Sequence, residues 1–175
     1  MARPRDLYWY ALKVFYKRID EVTAMFRAHR YETYYPLMVE EVMENGHVTY
    51  VEKPVMASLL FVKCPEKFLI DLKWHNDTAF LYYSGPGTNK PGKIDDREME
   101  TFMAATTAKE PGLMYLGSDT AKYCVGDRVR VTDGVYKGLE GYVRRIRHAR
   151  RVLVSIKGVA IVALSNIHPK FLQKI

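Results

Sequence analysis

The sequence predicts an α+β domain followed by a small all-β barrel. Three observations lead there: strand and helix signals succeed one another through residues 1–106, periodicity is lost over 107–120, and short strand signals punctuated by glycines fill 121–175. The expected organisation is therefore one domain over 1–106, a linker over 107–120 and a second domain over 121–175.

Tyr8 to Val14 is aromatic and β-branched and reads as a strand. Ile19, Val22, Phe26 and Arg30 follow at helical spacing, with Asp20 and Glu21 in the first turn where the helix dipole favours acids. Strand signals resume at Tyr31. Asn45-Gly46 separates two alternating runs, Val39 to Glu44 and His47 to Lys53, which predicts a type I′ hairpin. The apolar run Val55 to Lys63 has strand length and is expected at the centre of the sheet. Pro65-Glu66 opens a short helix that uses Phe68, Leu69 and Leu72, and Ala79 to Tyr83 reads as a further strand. At Ile94 to Met99, Asp95 is placed to cap a helix, with Glu98 three residues on and Ile94 positioned to staple onto Met99. Met99, Phe102, Met103 and Thr106 then share one helical face, which is expected to cover an antiparallel sheet.

Between the domains, TAKEPGLMYLGSDT carries Pro111, Gly112 and Gly117 as a linker would, yet Leu113 to Leu116 are too apolar for a freely solvated one. Beyond it, Val129 and Val131 alternate with Arg128 and Arg130. Tyr142 to Ile146, Val152 to Ile156 and Ile161 to Leu164 complete four or five short strands, the spacing of a small barrel.

Charge is distributed unevenly. Residues 1–106 carry 14 Lys and Arg against 15 Asp and Glu, whereas residues 121–175 carry 12 against 3, so the whole positive surplus sits on the second domain. A small barrel this basic attracts polyanions, and nucleic acid is the expected partner. Arg144, Arg145, Arg147, Arg150 and Arg151 are the candidate contacts. Cys64 and Cys124 stand apart without a CxxC or Cys/His cluster, and His29, His47, His75, His148 and His168 are scattered without HExxH spacing. No metal, no cofactor and no enzymatic activity are expected. The N-terminus has no apolar signal region and no long uncharged apolar run occurs, so a cytoplasmic monomer with no membrane contact is expected.

Gly126-Asp127, Val129, Val131, Gly134, Gly138, Gly141 and Val143 follow the pattern GD-x-V-x-V-x-x-G-x-x-x-G-x-x-G-x-V, which closely resembles the KOW motif of ribosomal proteins and of NusG-type transcription factors. The first domain decides between them. Its order of elements, with a Trp9-Tyr10 strand, a helix, a Tyr35-Pro36 strand, a hairpin and the apolar strand ending Leu60-Phe61-Val62, resembles the NusG N-terminal domain. The resemblance implies an N-terminal α/β sandwich with an antiparallel sheet and an SH3-like KOW barrel. It further implies that Trp9, Tyr10, Leu59 and Phe61 meet the clamp coiled coil of the largest RNA polymerase subunit, opposing pausing and termination.

In specialised relatives of the RfaH type, matching surfaces touch the non-template DNA strand. Here those surfaces hold Lys13, Tyr16, Lys17 and Arg18 at a strand-to-helix turn and Lys73, Trp74, His75 and Asn76 in a second cluster. Cations hold phosphates while an aromatic or amide stacks on or reads an unstacked base. IDDREMETFM, Ile94 to Met103, resembles a stretch of UpxY-type antiterminators of capsular polysaccharide operons. Housekeeping NusG binds a ribosomal protein or the Rho terminator through S-I-F-G-R. This chain reads Ser155-Ile156-Lys157-Gly158-Val159, without the Phe and the Arg, which shifts the expectation for the barrel toward nascent RNA or DNA.

Overall fold

The computed structural model describes residues 6–15, 17–75, 79–108, 110, 112–117, 126–156 and 158–175. In chain order the elements are β1 (Leu7–Val14), α1 (Ile19–Ala28), β2 (Glu32–Tyr34), β3 (Leu37–Glu44), β4 (His47–Pro54), β5 (Leu59–Pro65), α2 (Glu66–His75) and β6 (Phe80–Tyr82). They continue with α3 (Asp96–Thr107), β7 (Met114–Tyr115), β8 (Asp127–Val131), β9 (Glu140–Ile146), β10 (Ala149–Ile156), β11 (Ala160–Ala163) and β12 (Leu172–Lys174). Every pairing between these strands is antiparallel, as the α+β reading expects. The chain divides into two compact units, Met1–Pro36 with Met56–Met99 and Leu37–Val55 with Glu100–Ile175.

The first unit is built on a four-stranded sheet in the order β2-β5-β1-β6, so the apolar strand β5 and the aromatic strand β1 are both central. Alternation sends Tyr10, Leu12 and Val14 of β1 and Leu60, Val62 and Cys64 of β5 to one face, where they pack with Val22 and Phe26 of α1 and Leu69 of α2. Ile19, Val22 and Phe26 of α1 and Leu69 of α2 are buried, with Phe68 and Leu72 half-buried, whereas Arg30 lies beyond the end of α1, exposed and at φ 62°. Burial pushes the Cys64 thiol up to about 12, so it behaves as a small core hydrophobe; Cys124 lies outside the described residues.

Strand β5 begins at Leu59 rather than at Val55 as its apolar run suggested. Met56 and Ser58 turn the chain instead: the Leu59 N–H donates to the Met56 carbonyl at 3.1 Å and the Val14 N–H to that of Ser58 at 2.7 Å. A backbone turn satisfied by hydrogen bonds overrides hydropathy there.

The hairpin of β3 and β4 pairs without interruption from Leu37↔Pro54 to Glu44↔His47. Asn45 (φ 51°) and Gly46 (φ 80°) occupy its turn, the left-handed pair that a type I′ turn requires. Helix α3 is capped as its sequence foretold, Asp95 Oδ1 accepting from the Arg97 N–H at 2.9 Å. Met99, Phe102 and Thr106 on its marked face are buried.

A six-stranded sheet in the order β12-β8-β9-β10-β11-β7 forms most of the second unit. Its buried side chains include Val129, Val131, Val152, Val154 and Ile156. Two glycines let the strands come together. A Cβ on Gly141 would sit 2.3 Å from the Leu153 carbonyl oxygen, and one on Gly126 would sit 2.2 Å from that of Val143. Gly134 and Gly138 take φ of 84° and 87° in the β8–β9 loop. Residues 112–117, within the stretch where periodicity fades, lie along β11. Met114 and Tyr115 pair with Ala163 and Val162, and Leu116 and Gly117 exchange backbone bonds with Ile161.

Candidate functional site

On the sheet face opposite α1 and α2, register sets Trp9 beside Lys63, Ala11 beside Phe61, and Lys13 between Leu59 and Leu81. Trp9, Leu59 and Phe61 therefore share one face of the sheet, and all three are buried. Lys63 lies over the Trp9 ring at 5.9 Å and pairs with Asp96 at 2.9 Å, while the Tyr34 ring stands 6.4 Å from Phe61. Tyr10 is on the other face, in the helix-covered core. Its hydroxyl has no hydrogen-bond partner among the described residues, and burial raises its pKa well above the usual phenol range. At the margin of the opposite face, Lys13 is exposed, with its ammonium 5.8 Å from the Phe15 ring, and Leu81 is exposed beside it.

The polar clusters are sorted in a similar way. Lys17 is exposed with φ 56°, and Tyr16 lies outside the described residues. Arg18 is committed to Glu21 in the first turn of α1, Nε donating to Oε2 at 2.7 Å; the contact raises the guanidinium pKa and holds the Glu21 carboxyl below the usual range. At the end of α2, Trp74 is 81% exposed and His75 Nδ1 lies 2.7 Å from the Asp71 carbonyl; Asn76 is outside the described residues. Lys73 and Trp74 line a cavity of about 210 Å³ with Ile70 and Tyr82. Sequence reasoning missed Tyr82. Its strand was legible, but its place beside the last turn of α2 depends on β6 joining β1.

In the second unit, cross-strand register divides the arginines. Arg145 faces Arg150 and Arg144 faces Arg151, on opposite sides of β9 and β10. Arg151 is structural, its Nη1 donating to the carbonyls of Gly112 at 2.9 Å and Leu164 at 3.0 Å. Arg145 and Arg150 are exposed, as is Arg147, which takes φ 55° in the turn between these strands. Two further arginines, placed on a strand by the sequence pattern but not among the candidate contacts, clamp a carboxylate. Arg130 Nη2 lies 2.6 Å and Arg128 Nη2 2.8 Å from Glu140, and these partners, Arg130 first, hold its pKa below the usual range. Of the glycine-motif residues, Asp127 pairs with Lys174 at 2.8 Å.

The described surface thus carries an exposed cation beside an apolar sheet face, an exposed tryptophan on a helix end and an arginine-bearing strand pair. No cluster of metal-binding side chains accompanies them among the described residues, and no helix there is long and apolar enough to cross a membrane. The NusG family model, described as transcription termination factor nusG, matches residues 7–103. The chain belongs to the NusG family, a non-enzymatic family of transcription factors that bind RNA polymerase. A solved structure concerning domain interaction in Thermotoga maritima NusG is 16% identical over 98% of this chain and 98% of that one, with a TM-score of 0.47. No curated protein matches the chain.

Proposed function

We propose that this chain is a specialised NusG-type factor that rides elongating RNA polymerase and suppresses pausing and termination in a subset of operons. Family membership over residues 7–103 carries the reading. The resemblance of Ile94 to Met103 to UpxY-type antiterminators favours the specialised branch and capsular polysaccharide operons as its targets. Residues 1–106 act as the polymerase-binding domain and 121–175 as a KOW domain joined through 107–120.

The polymerase surface is the sheet face of Trp9, Leu59 and Phe61. These form its apolar floor, and Lys13 with Leu81, exposed in the row that Leu59 begins, form its accessible part. Tyr10, on the other face, supports the sheet from within. Trp74 and Lys73 with Tyr82 offer a stacking ring and a cation to an unstacked base of the non-template strand. Arg145, Arg147 and Arg150 supply phosphate contacts on the KOW domain, and the altered loop after Ile156 disfavours a ribosomal-protein partner.

Single-round transcription on a template carrying an intrinsic terminator tests this reading. Added protein is expected to increase read-through and shorten pauses; unchanged read-through, or increased termination, contradicts it.

A further inference from the structure

The second unit contains a cleft of about 430 Å³ between β8, the β9–β10 hairpin and the closing segment of the chain. Its walls are aliphatic, from Val129, Val143, Ala149, Ile167, Pro169 and Leu172, and its polar lining is Asp127, Arg150, Asn166 and Lys174. That size falls within the range of small-ligand sites. Lys174 is already paired with Asp127 at 2.8 Å. Arg150 instead faces Arg145 across the strand pair, on the side of the sheet that also carries Val143 and Val152. Like charges directly opposite each other destabilise a sheet, and an anion laid across them removes that cost.

An aliphatic slot beside facing arginines fits a ligand in which a flat, weakly polar group is flanked by negative charges. An unpaired nucleotide in a single strand has this form. The surplus of 12 cations over 3 anions in residues 121–175 favours such a polyanion over a peptide, which would bring one or two carboxylates at most to the same arginines. We propose that the cleft is a base-sized site for single-stranded nucleic acid: one unpaired base enters between the aliphatic walls while neighbouring phosphates lie on Arg145 and Arg150. Asn166 and Asp127 stand where the polar edge of the base loses water, and supply a donor and acceptors for it. A paired base cannot enter. The inference rests on the nucleic-acid reading of this domain and adds to it a place for the base.

The test uses the full chain and fluorescence anisotropy with three labelled probes: a single strand of roughly ten nucleotides, the same backbone with every base removed, and the matching duplex. The base-bearing strand is expected to bind roughly five- to a hundred-fold more tightly than the abasic one, and more tightly than the duplex. Ala149→Phe, which obstructs the slot, should bring the base-bearing strand toward the abasic level, and Asn166→Ala, which obstructs nothing, should weaken it in the same direction. Arg150→Ala should weaken both single strands and lower the salt slope by about 0.7.

Equal affinity for base-bearing and abasic strands, with salt dependence intact, overturns the cleft and leaves the arginine contacts standing. If no probe binds the wild-type chain, the nucleic-acid reading of the domain falls and the cleft with it.

Discussion

Gly141→Ala is expected to lose at least about 2–3 kcal/mol of unfolding free energy, a large part of what holds a domain of this size together. The added methyl carbon would sit 2.3 Å from the Leu153 carbonyl oxygen, 3.1 Å from the Leu153 carbonyl carbon and 2.8 Å from Val152 Cγ1. Two of the three are backbone atoms of β10, so no side-chain rotation relieves the overlap and the strands must part along the ladder from Tyr142↔Leu153 to Ile146↔Ala149. Gly138 is the comparison. At φ 87° a methyl group there would have no atom within 4 Å, so Gly138→Ala carries only the cost of a left-handed backbone, about 1–2 kcal/mol. Urea unfolding followed by circular dichroism should place the Gly141 variant clearly below the Gly138 variant. The reverse order would mean that β9 and β10 do not approach as closely as described.

Phe26→Ala is expected to cost about 3–5 kcal/mol, through lost burial and the cavity left behind. Phe26 is fully buried beneath α1 and meets Phe68 edge-on at 5.8 Å and 73°, and Phe80 at 6.3 Å and 61°. One side chain therefore ties α1 to α2 and to the sheet edge. Trp74→Ala removes a larger ring from a position that is 81% exposed and should change stability by less than about 0.5 kcal/mol. Thermal melts of the two variants check the contrast; a Phe26 variant as stable as the Trp74 variant would contradict the assigned core.

Local rules carried much of the fold. Asn45-Gly46 specified its hairpin because few other dipeptides accept two left-handed residues, and Asp95 marked the start of α3 because its side chain satisfies a backbone donor there. Period-two alternation also held a signal for the site: Trp9 and Tyr10 are adjacent in a strand, so they point to opposite faces and cannot share a surface. The same rule separates Arg144 from Arg145.

Long-range pairing hid the rest. Arg151 holds carbonyls of Gly112 and Leu164, and nothing within its own strand names either acceptor. Met114 and Tyr115 form a strand because β11 offers an edge to them; locally they show only an apolar stretch without period. The cleft beside Arg150 depends on Ile167, Pro169 and Leu172 returning to β8, which pairing of β12 with β8 brings about. The burial of Phe61 changes the choice of interface variant as well: Phe61→Asp would place a charge in a buried position and report on folding, whereas the exposed Lys13 and Leu81 can be altered without that cost.

The proposed action of this chain is to bind RNA polymerase. The most direct measurement is the association of the full chain with purified core RNA polymerase by co-elution in size-exclusion chromatography, repeated with Leu81→Asp combined with Lys13→Glu. Stable co-elution of the wild-type chain, lost in the folded double variant, is the expected result. A wild-type chain that elutes apart from polymerase and sediments instead with ribosomal subunits would contradict the account.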